Sequence, residues 1–325
     1  MSANLNEETL VKKASYLRIA ARGLAEGMKT GSFRSLYRGQ GIEFAGVRDY
    51  IRGDDIRSID WNVTARMGRP YVKLFEEERE LQIFLLLDTS LSMQTGTTNR
   101  QKLSKATELA ALLTIAAELN ACPIGTIFFD GSINFSCEPK GGRAQTLHIL
   151  SALDKAGTSN EPHKHNTGTF SGTFEANALG PKKTLPQSST PGTVLANALT
   201  GASRILRKRT LVFIISDFRA AEWEKPAITL AQKNDVIALR LTDDYETEIP
   251  EIGTVPFTDA ESKITMMLPS SSAKFKKEWK AQQEQNERRW RDTCVKHGIY
   301  PAIMKTQDDP LYILNGIFAR KPGTN

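Results

Sequence analysis

Cysteine is scarce in this chain: Cys122, Cys137 and Cys294 are spread over 325 positions without a Cys-x-x-Cys pair. That pattern excludes the disulfide framework of small secreted domains, so a reducing cytoplasm is the expected location. No signal peptide is expected either. The first 28 residues carry Glu7, Glu8 and Glu26 and never develop an unbroken apolar core with a small-residue cleavage site. Long hydrophobic runs are absent too. The greasiest stretch, 109–119, is rich in alanine, holds Glu118 in its last turn and falls short of the roughly 20 residues a membrane span needs. Nor does one sign of charge dominate. The 43 basic residues against 37 acidic ones leave a net +6, a small excess on a mixed-sign surface, and no nucleic-acid partner is expected from it. What remains is a chain 40% hydrophobic and 25% charged, long enough for one large core or two modest ones.

Apolar spacing organises the rest. Leu10, Ala14, Leu17, Ala21 and Leu24 recur at helical intervals before Gly27 and Gly31, which predicts an amphipathic helix over 5–28. From 33 to 75, glycine turns alternate with short apolar runs, which predicts short strands and turns. In that stretch Arg48, Arg52, Arg57 and Arg66 interleave with Asp49, Asp54, Asp55 and Asp60. The balanced signs read as an ion-pair network tying the segment to the larger domain C-terminal to it. At 81–88, LQIFLLLD is a continuous apolar run, the pattern of a parallel strand covered on both faces.

A helix over 100–120, a hairpin around Asp130-Gly131 and a helix over 144–154 come next. The segment 156–192, rich in Gly, Ser, Thr, Asn and Pro, reads as a long loop. Its His163 and His165 lack a third metal ligand, and Phe170 and Phe174 are candidate anchors for a partner. Beyond it, helices at 194–206 and 225–233 alternate with strands at 210–216 and 236–241. Strands at 264–268 and 299–304, a charged helix over 273–297 and a final helix over 310–318 close the chain. In the charged helix, Phe275, Trp279, Trp290 and Cys294 are the apolar markers, and Trp279 and Trp290 read as core anchors. Strand and helix alternation predicts an α/β fold. The expected division is an N-terminal helix and short-strand segment over 1–80, followed by one domain over 81–325 with the 156–192 insertion and a C-terminal helical extension.

Open α/β sheets bind ligands beyond the carboxyl ends of their strands. Asp88 ends LQIFLLLD and Asp217 ends TLVFIISD, so each carboxylate follows an apolar strand and needs a cation or donors to face it. Ser90 and Ser92 follow Asp88 at alternate positions, giving D-x-S-x-S. Two carboxylates and hydroxyls form an all-oxygen donor set suited to Mg²⁺, with no cysteine or histidine to favour zinc. An Asp at a strand end also opens Mg-dependent phosphatases, and a hydrolase using Asp88 and Asp217 is the alternative reading. Those enzymes carry D-x-D, however, where this chain has Ser90, and neither a phosphate-cradling GxxxxGK[ST] nor a GxSxG elbow is present.

The D-T-S-L-S run, with Thr193 in PGTVLANAL and Asp217 in IISDF, resembles the metal-ion-dependent adhesion site of von Willebrand factor A domains. The resemblance implies a von Willebrand A-like (Rossmann-like) mostly parallel sheet with helices on both faces. It implies that Ser90, Ser92 and Thr193 hold Mg²⁺, or Mn²⁺ or Ca²⁺, that Asp88 and Asp217 act partly through water, and that an open position accepts a partner's carboxylate. The preceding QGIEFAGVRDYIRGDDIRSIDWNVTARMGRPYVKLFEEERE, with 243–246, Ile249-Pro250 and 258–261, resembles domain-of-unknown-function family 58 from about 34 to 268. That likeness implies association with MoxR-type AAA+ ATPases. Members often carry membrane segments, a pattern this chain departs from. The expected function is non-enzymatic, metal-dependent protein binding.

Overall fold

The computed structural model describes residues 38–78, 81–94, 96–97, 100–158, 193–247, 253–258 and 265–319. The helix expected over 5–28 and the loop from 159 to 192, with His163, His165, Phe170 and Phe174, lie outside them.

Strands β1 (Arg38–Asp49) and β2 (Tyr71–Glu78) pair as an antiparallel hairpin. Between them a 3-10 turn at Ile56–Ser58 leads into helix α1 (Trp61–Met67), which the apolar pattern does not foretell. Its cause is local. The Asp60 carboxylate accepts from the N–H groups of Asn62 and Val63 at the start, and Gly68, at φ 70°, takes the left-handed conformation that ends it. Among the described residues, the hydrogen bonds and ion pair of Arg48, Asp54, Asp55 and Asp60 are local to this segment rather than ion pairs to the larger domain. Asp55 accepts from Arg57 N, and Arg48 grips Asp54 through two hydrogen bonds of 2.7 Å. That guanidinium and the Ile51 N–H hold the Asp54 carboxyl down to about 2.

The main sheet begins at β3 (Ile83–Asp88). It is followed by the single turn α2 (Leu91–Gln94), the two-residue strands β4 (Gly96–Thr97) and β5 (Arg100–Gln101), helix α3 (Lys102–Leu119), and the hairpin β6 (Ile124–Phe129) and β7 (Ile133–Lys140). Helix α4 (Arg143–Thr158) runs past 156, so the first three residues of the expected loop are helical. Then come α5 (Val194–Ile205), β8 (Leu211–Ser216), α6 (Glu224–Ala231), β9 (Asp235–Thr242) and the short α7 (Asp244–Thr247). β10 (Thr254–Thr258) and β11 (Thr265–Pro269) form a separate hairpin, so the strand expected at 264–268 is not part of the main sheet. The chain closes with α8 (Ala273–Lys296), β12 (Tyr300–Lys305) and α9 (Pro310–Ala319). The sheet order is β12-β9-β8-β3-β6-β7, parallel except for β7 at one edge.

Every residue of β3, β6 and β8 is buried, as continuous apolar runs require of strands covered on both faces. The two-residue period then sorts them. Ile83, Leu85 and Leu87, with Leu211, Phe213 and Ile215, pack under α3 and α9. Phe84, Leu86, Val212 and Ile214 face α5, α6 and the end of α8 through Leu195, Leu199, Leu230 and Trp290. Helix α3 is buried along most of its length and is apolar nearly all round, so it acts as an internal element. Among the described residues no helix is long and apolar enough to cross a membrane.

One glycine sets the edge of the sheet. A Cβ on Gly125 would lie 2.6 Å from Pro139 N and 2.7 Å from Cys137 O, both backbone atoms of β7. Gly125→Ala therefore forces the edge strand away, and we expect a loss of about 1–3 kcal/mol, as overpacking costs, measurable by urea denaturation. Unchanged stability would show that β7 yields freely.

Candidate metal centre

The carboxyl ends of β3 and β8 lie side by side, because these strands pair in parallel with Leu87 opposite Ile215. Asp88 ends β3 and is 5% exposed, and Asp217 follows β8 at 3%. Asp88 Oδ1 accepts from Ser90 N at 2.9 Å, and its Oδ2 accepts from Ser216 Oγ at 2.6 Å. Ser90 and Ser92 are also buried, and their hydroxyls hydrogen-bond to each other at 3.0 Å. Thr193 immediately precedes α5 and its side chain makes no capping bond to that helix. Because α5 leads through a short connection to the beginning of β8, its N-terminus lies at the same edge as the ends of the parallel strands.

The structure adds residues that sequence reading missed. Lys102 opens α3 fully buried, and its Nζ donates to Asp217 Oδ2 at 2.9 Å and to Glu246 Oε1 at 2.7 Å. Arg219 reaches the same two carboxylates, with Nη2 3.1 Å from Glu246 Oε2 and Nε 3.7 Å from Asp217 Oδ2. Glu246 is brought there by α7, which Trp279 of α8 pins by donating from Nε1 to the Glu246 carbonyl at 2.8 Å. Glu246 lies in the 243–246 stretch that carries the family resemblance, so a signal for it existed. Lys102 had none, since a lysine on a helix is ordinarily solvated.

The two aspartates are driven apart electrostatically. Burial pushes the Asp88 carboxyl up to about 6, and the charge of Asp217 adds to this against the hydrogen bonds from Ser216 and Ser90. Burial alone would also raise Asp217, but Lys102 and Arg219 bring it below the ordinary carboxylate range.

These oxygens fit a small divalent cation. Ser90 Oγ and Ser92 Oγ share a hydrogen bond of 3.0 Å, a separation that also allows both to reach one octahedral Mg²⁺, whose neighbouring ligands at about 2.1 Å stand roughly 3 Å apart. Asp88, Asp217 and Glu246 against Lys102 and Arg219 leave one negative charge. Among the described residues no group of three or more His, Cys, Asp and Glu is arranged to hold an ion. Lys102 already occupies Asp217 Oδ2, which suits a supporting role for that carboxylate.

Beyond Asp217 the backbone turns sharply. Phe218 adopts φ 54°, a left-handed conformation that costs a non-glycine residue about 1–2 kcal/mol, and its ring packs 5.2 Å from Trp223 and 5.5 Å from Trp290.

Residues 46–289 match the family described as Protein of unknown function DUF58. Uncharacterized protein Rv1480 of Mycobacterium tuberculosis (strain ATCC 25618 / H37Rv) is 27% identical over 268 residues, covering 81% of this chain and 75% of that one. BatB from Bacteroides thetaiotaomicron, a conserved hypothetical protein, is a similar solved structure, with TM-score 0.42 and 14% identity over 73% of this chain and 96% of its own. An aerotolerance-related membrane protein from Bacteroides fragilis gives 0.44 and 15% over the same shares.

Proposed function

The chain belongs to the DUF58 family, and from that premise we propose that it is a divalent-cation-dependent protein-binding module with a von Willebrand A-like site at the ends of β3 and β8. The observation that carries this reading is the pair of buried serine hydroxyls 3.0 Å apart beside the raised carboxyl of Asp88. Ser90, Ser92 and Thr193 would hold Mg²⁺, or Mn²⁺ or Ca²⁺, with Asp88 and Asp217 supporting it. Once bound, such an ion offers an open position to a carboxylate from another protein.

Binding rather than catalysis follows from the donor set. Ser90 stands where a D-x-D phosphatase needs its second carboxylate, and Asp217 is tied down by Lys102 rather than poised to move a proton. The family resemblance makes a MoxR-type AAA+ ATPase, or its client, the first partner to test, in the cytoplasm.

Calorimetry should show one divalent ion per wild-type chain and a loss of at least tenfold in affinity for the Ser90→Ala, Ser92→Ala double variant. Co-precipitation with the ATPase should need Mg²⁺ and vanish in EDTA, while phosphate-ester hydrolysis stays at background. Equal ion affinity in the double variant would sink the site. Turnover that is lost in Asp217→Ala would replace this reading with the hydrolase.

A further inference from the structure

Next to the candidate site, lined by Phe218 and Arg219, lies a cleft of about 450 Å³ between the β8–α6 connection, β9 and α8. Phe218, Trp223, Trp279 and Trp290 supply its aromatic walls, and three arginines, Arg219, Arg240 and Arg289, line it beside a single acid, Glu224. Such a density of tryptophan and arginine in one cavity is the composition of a recognition site.

Two donors here have no work to do within the fold. Arg240 Nε and Trp290 Nε1 are buried and make no hydrogen bond, a state that native structures rarely leave uncorrected. The Arg240 guanidinium stacks 5.7 Å from the centre of the Trp290 ring, and among the described residues no carboxylate closes an ion pair with it. Burial lowers its pKa, with Glu287, Glu246 and Asp217 pulling the other way from a distance. Arginine and tryptophan side chains only donate, so an occupant that brings an acceptor suits them.

Charge narrows the choice. Arg219 is already shared between Glu246 and Asp217, and Glu224 lines the cavity, so the cleft has spare charge for a single anion rather than for a polyphosphate. The walls ask for an apolar or aromatic body beside that anion.

We infer that this cleft is a second binding site, able to act without the cation, that takes a carboxylate of a peptide segment, with an aromatic side chain next to it seated among the tryptophans. That the occupant is a protein rests on the binding role proposed above; the cleft's preference for a carboxylate does not.

The test reads intrinsic fluorescence, because three of the four tryptophans line the cleft and the fourth, Trp61, is exposed and can be replaced by Phe. The full-length Trp61→Phe protein is titrated in EDTA with a capped peptide of sequence Gly-Gly-Phe-Asp-Gly-Gly, with its Phe-Asn counterpart, and with adenosine monophosphate. Saturable quenching by the Phe-Asp peptide, at least tenfold tighter than by the Phe-Asn peptide, is expected. Arg240→Gln should weaken it at least tenfold. The exposed Arg289→Gln, which leaves the fold untouched, should weaken it about threefold. Equal affinity for both peptides, tighter binding of adenosine monophosphate, or no change in Arg289→Gln and Arg240→Gln alike would each overturn the inference. The same titration in Asp88→Ala separates the two readings, since quenching there should be unchanged even where ion binding is gone.

Discussion

Replacing Lys102 with Met is expected to cost about 3–5 kcal/mol in chelator, the largest effect of any single substitution at the site. Lys102 is fully buried between Asp217 and Glu246, at 2.9 and 2.7 Å, and methionine fills its stem without its charge. Two carboxylates would then share only the half-exposed Arg219, and a buried charge stripped of its partner is destabilising by that amount. Divalent cations should restore more stability to Lys102→Met than to the wild type, because Asp217 Oδ2 becomes available to them. Urea denaturation in EDTA and in millimolar Mg²⁺ measures both effects. A variant as stable as wild type in EDTA would show that water reaches these carboxylates.

Asp88→Asn should do the reverse, giving a protein that is blind to metal yet more stable without it. The folded-state pKa of Asp88 is raised from 3.8 to about 6, so between those values the folded chain holds a proton that the unfolded chain has lost. Stability contributed by this group is therefore complete below about pH 4 and falls as pH rises through 6, by about 3 kcal/mol at most for a shift of this size. Asparagine is never ionised and escapes the loss. In EDTA the stability difference in favour of Asp88→Asn should widen from pH 4 to pH 8, and saturating Mg²⁺ should stabilise only the wild type. A difference independent of pH would mean that Asp88 is ionised at ordinary cost. Such an exchange of stability for a binding group is common where function places like charges together.

The central strands are legible because LQIFLLLD and TLVFIISD are unbroken apolar runs, and burial on both faces leaves no other reading. Helix α1 is hidden because it has no apolar stripe. Trp61 and Met67 are more than half exposed, and only the Asp60 cap and Gly68 mark its ends. The pairing of β10 with β11 is hidden as well, since Pro256 interrupts the strand pattern of β10.

At the site, strand-end logic puts Asp88, Ser90, Ser92 and Asp217 at one edge, and the fold has them there. That logic cannot supply Lys102, whose burial depends on α3 packing across the edge, or Arg240, whose significance depends on α8 laying Trp290 against it. Helical spacing makes Trp279 and Trp290 core anchors. Trp290 is indeed buried, but both also line a cavity, a distinction that periodicity does not carry.

Arg219 lines the cleft, one residue from Phe218 and two from Asp217, and its guanidinium leans on Asp217 and Glu246 at the strand-end site. An anion entering the cleft competes with those carboxylates for it. Each time Arg219 turns toward the newcomer, the strand-end site becomes more negative and holds a cation more tightly. Reciprocity then requires that the cation tighten the anion by the same factor, a positive heterotropic cooperativity. A partner that engages one site thereby prepares the other, and Arg219→Ala should uncouple the two while leaving each able to bind alone.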